Sequence, residues 1–124
     1  MILVDTSVWV SHLRIGDEHL KHLLIDGEVA THPFVIGELA CGNLRNRQET
    51  LTLLQFLPQS KQASQEEALQ FIESHALMGI GIGFIDIHLL ASARLSQIPI
   101  WTLDKNLDAA ALALSISYKP AGAS

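Results

Sequence analysis

Four carboxylates, Asp5, Glu38, Asp86 and Asp104, come from four separate segments of this chain, each at a place where a charge is unusual in a plain core. Asp5 and Asp104 are each the first charged residue after an apolar run, Ile2-Leu3-Val4 and Ile98-Pro99-Ile100-Trp101-Thr102-Leu103. Glu38 lies within the small, apolar segment from Val35 to Gly42, and Asp86 opens a helix straight after Gly79, Gly81 and Gly83. If the four converge, they repel. Two carboxylates about 5 Å apart oppose each other by roughly 3 kcal/mol at an effective dielectric near 20, and a cluster takes up protons to relieve the strain. A divalent cation reverses this. Oxygen-only donors select magnesium or manganese, whereas zinc prefers nitrogen and sulfur. Such a centre hydrolyses phosphodiesters by activating and orienting a water and stabilising the leaving oxygen.

Simpler roles compete with this one. Aspartate just before a helix is a favoured N-cap, which accounts for Asp5, Asp86 or Asp104 taken singly, and Glu38 could be a solvent-facing helix residue. Taken jointly, two acids end strands, and ligands of open α/β sheets bind beyond the carboxyl ends of the strands. Glu38, Gly42 and Arg45 add a geometric expectation. Offsets of four and seven put them on one helix face, with Gly42 leaving room for a phosphate between acid and base and Arg45 binding it. A surface Glu–Arg arrangement with a packing glycine is the plainer alternative.

The elements that must position these groups alternate. Ile2-Leu3-Val4 is expected to be a buried strand, with a short helix from Thr6 to His12. A second helix spans Asp17 to Ile25, stopped by Gly27. A strand follows over 28–31. Pro33 starts a helix that runs to about Leu44. Gln48 to Leu57 is helical, and Ser64 with Glu67 marks a capping box. Asp86 to Ser96, the strand Ile98 to Leu103, a helix from Lys105 to Leu114 and an edge strand at Ile116-Ser117-Tyr118 complete the order. Alternating strands and helices predict an α/β fold with a central parallel sheet covered by helices on both faces.

The 124 residues make one domain, 1–124. Hydrophobic residues at 48% supply a core, and charged residues at 17% argue against disorder. No apolar run approaches the roughly 18 residues that cross a membrane, and no secretory signal is read at the N-terminus. The single cysteine, Cys41, cannot pair within the chain, which fits a reducing cytoplasmic setting. The net charge of −5 is the bulk property that speaks against nucleic acid. Sequestering acids at a metal, with arginines left for phosphates, reconciles the two.

At these residues the sequence resembles the PIN-domain nucleases and, among them, the VapC toxins of bacterial toxin–antitoxin pairs. The resemblance is carried by Val4-Asp5-Thr6-Ser7, by Gly37-Glu38-Leu39-Ala40 with Gly42 and Arg45, by Phe84-Ile85-Asp86, and by Trp101-Thr102-Leu103-Asp104. It implies a PIN-like three-layer fold and a Mg²⁺- or Mn²⁺-dependent endoribonuclease with RNA as substrate. It also implies that Asp5, Glu38, Asp86 and Asp104 bind the metal, that Thr6 and Thr102 support them, and that Asp108 is an outer-shell acid. A homodimer and a cognate antitoxin are implied on the same ground.

Other signals carry less. Gly79-Ile80-Gly81-Ile82-Gly83 lacks the spacing of a dinucleotide fingerprint and reads as a mobile loop that lets Asp86 adjust. His19 and His22, three apart, lack a further zinc ligand, and His12, His32, His75 and His88 show no pairing in the sequence. Cys41 is expected to be a small buried residue, and Trp9 and Trp101 core anchors rather than stacking platforms. Two rival functions remain: a non-catalytic partner-binding module whose acids only cap helices, and a receiver-type phosphoacceptor domain. The latter rests on Lys119-Pro120 but lacks an adjacent acid pair after the first strand.

Overall fold

The computed structural model describes residues 1–121. Its centre is a three-stranded parallel sheet in the order β2-β1-β3, with β1 at Ile2–Val4, β2 at Val29–Ala30 and β3 at Ile100–Trp101. Leu3 pairs with Ala30 on one side and Ile100 on the other. All three residues of β1 are buried. Successive strand residues face opposite sides, so both faces of the central strand are covered, giving the expected three layers.

Both outer strands are shorter than the segments that predict them, because only Val29–Ala30 and Ile100–Trp101 pair with β1. Ile116 to Tyr118 reaches the sheet through a single parallel bridge, Ile100 to Ser117. The Ile100 N–H donates to the Ile116 carbonyl at 2.8 Å, and the Tyr118 N–H to the Ile100 carbonyl at 2.9 Å.

The helices are α1 (Thr6–Ile15), α2 (Glu18–Ile25), α3 (Pro33–Ala40), α4 (Arg47–Phe56), α5 (Gln65–His75), α6 (Phe84–Ser96) and α7 (Lys105–Ala113). Side-chain caps set most of their starts. Asp5 accepts from the Ser7 N–H, Asp17 from Leu20, Asp104 from Leu107, and Ser64 with Glu67 closes the capping box. The core joins β1 and β3 to Val8 and Trp9 of α1, Leu89 and Leu90 of α6 and Leu107 of α7, with Trp9 1% and Trp101 4% exposed as expected of anchors.

Two helix boundaries depart from expectation, and both bear on the site. Helix α3 ends at Ala40 rather than near Leu44. Arg47 donates to the carbonyls of Ala40 at 2.6 Å and Gly42 at 3.1 Å, satisfying orphan acceptors at the helix end. Helix α6 begins at Phe84, so Asp86 sits within its first turn rather than at its opening.

Candidate active site

Parallel pairing puts the ends of β1 and β3 on one edge, and Asp5 and Asp104 emerge there. Asp5 is 5% exposed, and its Oδ2 gathers every donor it receives among the described residues. The Ser7 hydroxyl donates at 2.7 Å, the Thr102 hydroxyl at 2.8 Å and the Ser7 N–H at 3.3 Å. Asp104 spends Oδ1 on the Leu107 N–H at 2.9 Å. Glu38 accepts the Thr6 hydroxyl on Oε1 at 2.8 Å. Asp86 accepts the Gly83 N–H on Oδ2 at 3.4 Å. Each carboxylate is thus anchored through one oxygen, while the other takes no donor among the described residues.

The anchored acids lie within electrostatic reach of one another. Burial raises the proton affinity of Asp86, the Gly83 N–H opposes it, and the charges of Asp5, Asp104 and Glu38 raise it further. A helix cap alone does not require three more acids nearby. Among the described residues, no three acidic, histidine or cysteine side chains close on one point at ion-binding distance. The four acids feel one another's charge without closing into a cage.

Thr6 and Thr102 each reach an acid other than their chain neighbour. Thr6 adjoins Asp5 but holds Glu38, and Thr102, two residues before Asp104, holds Asp5. Thr102 Oγ1 also accepts the Asp104 N–H at 3.0 Å, so one hydroxyl ties the two strand-end acids together.

Ser7, which sequence reasoning did not select, is a hub: it holds Asp5 and accepts the Leu103 N–H at 2.9 Å. The signal was a second hydroxyl directly after Asp5-Thr6. Asn106 is a second omission. Its side-chain amide donates to the Gly81 carbonyl at 3.3 Å and binds the glycine loop to the start of α7. Gly81 is required there, because its φ is +84° and a Cβ would stand 2.7 Å from Asn106 Nδ2.

Arg45 does not share a helix face with Glu38, since α3 stops before Gly42. The turn after the helix nonetheless returns Arg45 to the same groove. That groove, about 420 Å³, is lined by Val10, Leu13, Arg14, Glu38, Gly42 and Arg45 among others. Arg14, from the end of α1, is a second cation that the sequence alone did not point to. A larger cavity of about 530 Å³ between α5 and α6 includes none of the four acids.

Asp108 is engaged elsewhere. It accepts the Ser117 hydroxyl and the Lys119 ammonium, each at 2.6 Å. Burial works against its ionisation, but these two hydrogen bonds and the lysine charge prevail and hold it below the ordinary aspartate value. Cys41 is exposed, contrary to expectation. It follows Phe34, Gly37 and Glu38 on the outward stripe of α3 at offsets of three, four and seven.

Several histidines find structural partners. The Phe34 N–H donates to His32 Nδ1 at 2.9 Å, so His32 is the N-cap of α3. The Asp17 N–H donates to His12 Nδ1 at 3.0 Å. His19 is hydrogen-bonded to the Tyr118 hydroxyl and sits edge-on to Trp101. His22 is exposed.

A parallel sheet flanked by helices, with acids beyond its strand ends, defines an α/β protein with an acidic site, and the family follows from the sequence. The chain belongs to the PIN domain family, whose model matches residues 2–112. It is 45% identical over 111 residues to Ribonuclease VapC32 of Mycobacterium tuberculosis, in both strain CDC 1551 / Oshkosh and strain ATCC 25618 / H37Rv, covering 89% of this chain and 90% of the relative. The crystal structure of PAE2754 from Pyrobaculum aerophilum has a similar fold, with a TM-score of 0.60 at 19% identity over 88% of this chain and 78% of that one. Membership removes the receiver reading, and Lys119, its one support, is bound to Asp108. Among the described residues, no helix is long and apolar enough to cross a membrane.

Proposed function

We propose that this chain is a metal-dependent endoribonuclease, the toxin of a VapBC-type toxin–antitoxin pair acting in the cytoplasm as a homodimer. The observation that carries the reading is that Asp5, Glu38 and Asp104, from three other elements, lie close enough to act on Asp86 by charge, each of the four with one oxygen anchored and the other taking no donor among the described residues. The identity with Ribonuclease VapC32 over nearly the whole chain supports it.

The residues fit a hard divalent ion. Every candidate donor is a carboxylate oxygen, the choice of magnesium or manganese. Acids that do not close into a cage also suit magnesium, which keeps several waters and needs only one or two protein carboxylates beside substrate phosphates. When bound, the ion supplies Lewis acidity for phosphodiester hydrolysis.

The chain's own groups do the rest. Ser7 and Thr102 fix the Asp5 carboxylate, and Thr6 fixes Glu38, so each free oxygen is held in a defined direction. Asp86, anchored through the Gly83 N–H, would offer its other oxygen to the ion. Arg45, on the groove shared with Glu38, binds a phosphate of the RNA, and Arg14 on the same groove provides a second contact. Asp108 takes an outer role, holding the segment after α7 through Ser117 and Lys119. The cognate antitoxin neutralises the protein by occupying the cleft.

The test is RNA cleavage by the purified protein with chelator and after readdition of Mg²⁺ or Mn²⁺. Cleavage should vanish and return. A non-catalytic partner-binding module, with the same acids acting only as caps, predicts no cleavage and a melting temperature indifferent to Mg²⁺.

A further inference from the structure

Two partly exposed phenylalanines lie at the starts of α3 and α6, the helices that carry Glu38 and Asp86. Phe34 precedes Glu38 by one turn on α3 and is 39% exposed. Phe84 opens α6 two residues before Asp86 and is 42% exposed. His88, one turn after Phe84, is buried. Its ring centroid lies 4.9 Å from that of Phe34 and 4.6 Å from that of Phe84, with interplanar angles of 72° and 84°. One buried imidazole therefore braces two aromatic rings from different helices. The bracing fixes their spacing and leaves part of each ring in solvent. Gly37, on the same exposed stripe of α3, leaves open space beside Phe34, since an added Cβ there would meet nothing within 4 Å.

We infer that Phe34 and Phe84 form a stacking platform for an unpaired nucleobase of the RNA strand, next to the phosphate held at the acids. The inference rests on the ribonuclease reading above and extends it to the two side chains that hold a base. A base within a duplex has its faces covered by its neighbours, whereas an unstacked base offers a face to an aromatic ring.

Charge favours this occupant. The chain has 8 lysines and arginines against 13 acids. Arg47 is spent on the Ala40 and Gly42 carbonyls, Arg94 on the Leu114 carbonyl and Lys119 on Asp108. With Arg14 and Arg45 the cations on the groove shared with Glu38, a strand approaching the carboxylates gains from binding that adds to its phosphate contacts. Stacking supplies it, at about five- to a hundred-fold in affinity per base. Trp9 and Trp101 cannot serve, since both are buried.

The experiment compares the parent with Phe34→Leu, Phe34→Tyr, Phe84→Leu and Phe84→Tyr in steady-state cleavage of a single-stranded RNA with Mg²⁺. Abasic sites are scanned one position at a time along the substrate. Leucine keeps an apolar side chain but has no ring to stack, and tyrosine keeps the ring. The leucine variants should raise KM about ten-fold or more with kcat little changed, as expected for loss of uniform binding. The tyrosine variants should restore KM. The ratio of leucine-variant to parent KM should be the same at about 50 and about 300 mM NaCl, because stacking, unlike phosphate contact, releases no counterions. One abasic position should raise KM for the parent and leave the leucine variants unaffected. Leucine variants that cleave like the parent overturn the platform while leaving the nuclease intact. A leucine variant that changes the sedimentation coefficient assigns the patch to a protein contact and also overturns it. A parent that cleaves no RNA removes the ribonuclease reading, and the platform falls with it before any variant is compared.

Discussion

The Thr6 hydroxyl donates to Glu38 Oε1 at 2.8 Å, across 32 residues of chain, although Thr6 is bonded directly to Asp5. Asp5 takes its hydroxyls from Ser7 and Thr102 instead. The Asp-Thr-Ser triplet therefore divides its work: one hydroxyl orients the acid of α3, the other the acid at the end of β1.

Removing a hydroxyl should disorder an acid without unfolding the protein. Thr6→Val keeps the shape of the side chain and frees Glu38. We expect ribonuclease activity to fall about 10- to 100-fold, the usual cost of losing a group that orients a metal ligand. Melting should shift by no more than a few degrees. Initial rates across a Mg²⁺ titration are the check, and a large loss that excess Mg²⁺ partly restores marks the role as ligand orientation.

Asp5→Asn separates charge from capping. Asparagine caps helices as well as aspartate does, so α1 should keep its start. Cleavage should fall by orders of magnitude. Without divalent ions the variant should melt at or above the temperature of the parent, because one negative charge leaves the acidic site. The stabilisation of the parent by Mg²⁺ should shrink or disappear in the variant. Thermal melts with and without Mg²⁺ read both effects, and parent-level cleavage by purified Asp5→Asn would show the proposed mechanism to be wrong.

His32 gives the fold a dependence on pH. Burial, and secondarily the charge of His88, lower its pKa from 6.5 to about 4. Between those values the unfolded chain holds a proton that the folded protein does not, so stability should drop as pH falls from about 6.5 toward 4. The full effect is up to about 3 kcal/mol at 1.36 kcal/mol per unit. Protonation of Nδ1 would also remove the acceptor for the Phe34 N–H at the start of α3. His32→Asn keeps a capping acceptor and removes the titration. Urea denaturation of the two proteins between about pH 4.5 and 7.5 should give a steeper slope for the parent.

Gly81→Ala should strain the loop that leads into α6. A Cβ there meets Asn106 Nδ2 at 2.7 Å on a backbone with φ of +84°. The cost should be about 1–3 kcal/mol, with lower activity because Asp86 follows the loop. Adding Asn106→Ala removes the clash but not the φ penalty, so the double variant should recover only part of the loss. Denaturation midpoints of the single and double variants measure the division.

Arg45→Ala should weaken RNA binding more than Mg²⁺ binding. If Arg45 neutralises one phosphate, the slope of log affinity against log salt should decrease in magnitude by about 1. The same substitution at Arg14 tests whether both cations of the groove meet the strand.

The sequence alone determined the fold class and the strand ends that carry Asp5 and Asp104. A run such as Ile2-Leu3-Val4 must be buried, and in a parallel sheet the first charge after it emerges at the carboxyl edge. It also marked Trp9 and Trp101 as core, because a large apolar ring is stabilised mainly by burial. Only the tertiary structure decided the partners. Thr6 holding Glu38, Thr102 holding Asp5, and Phe34 and Phe84 meeting across His88 each depend on how separate elements pack, which local propensity does not encode. The end of α3 belongs to the same group. The periodicity of 35–44 continues past Ala40, but Arg47 takes the carbonyls of Ala40 and Gly42, so Arg45 reaches the groove through a turn. Cys41 lay on the wrong side for burial because hydropathy says that a residue can be covered, while the orientation of the helix decides whether it is.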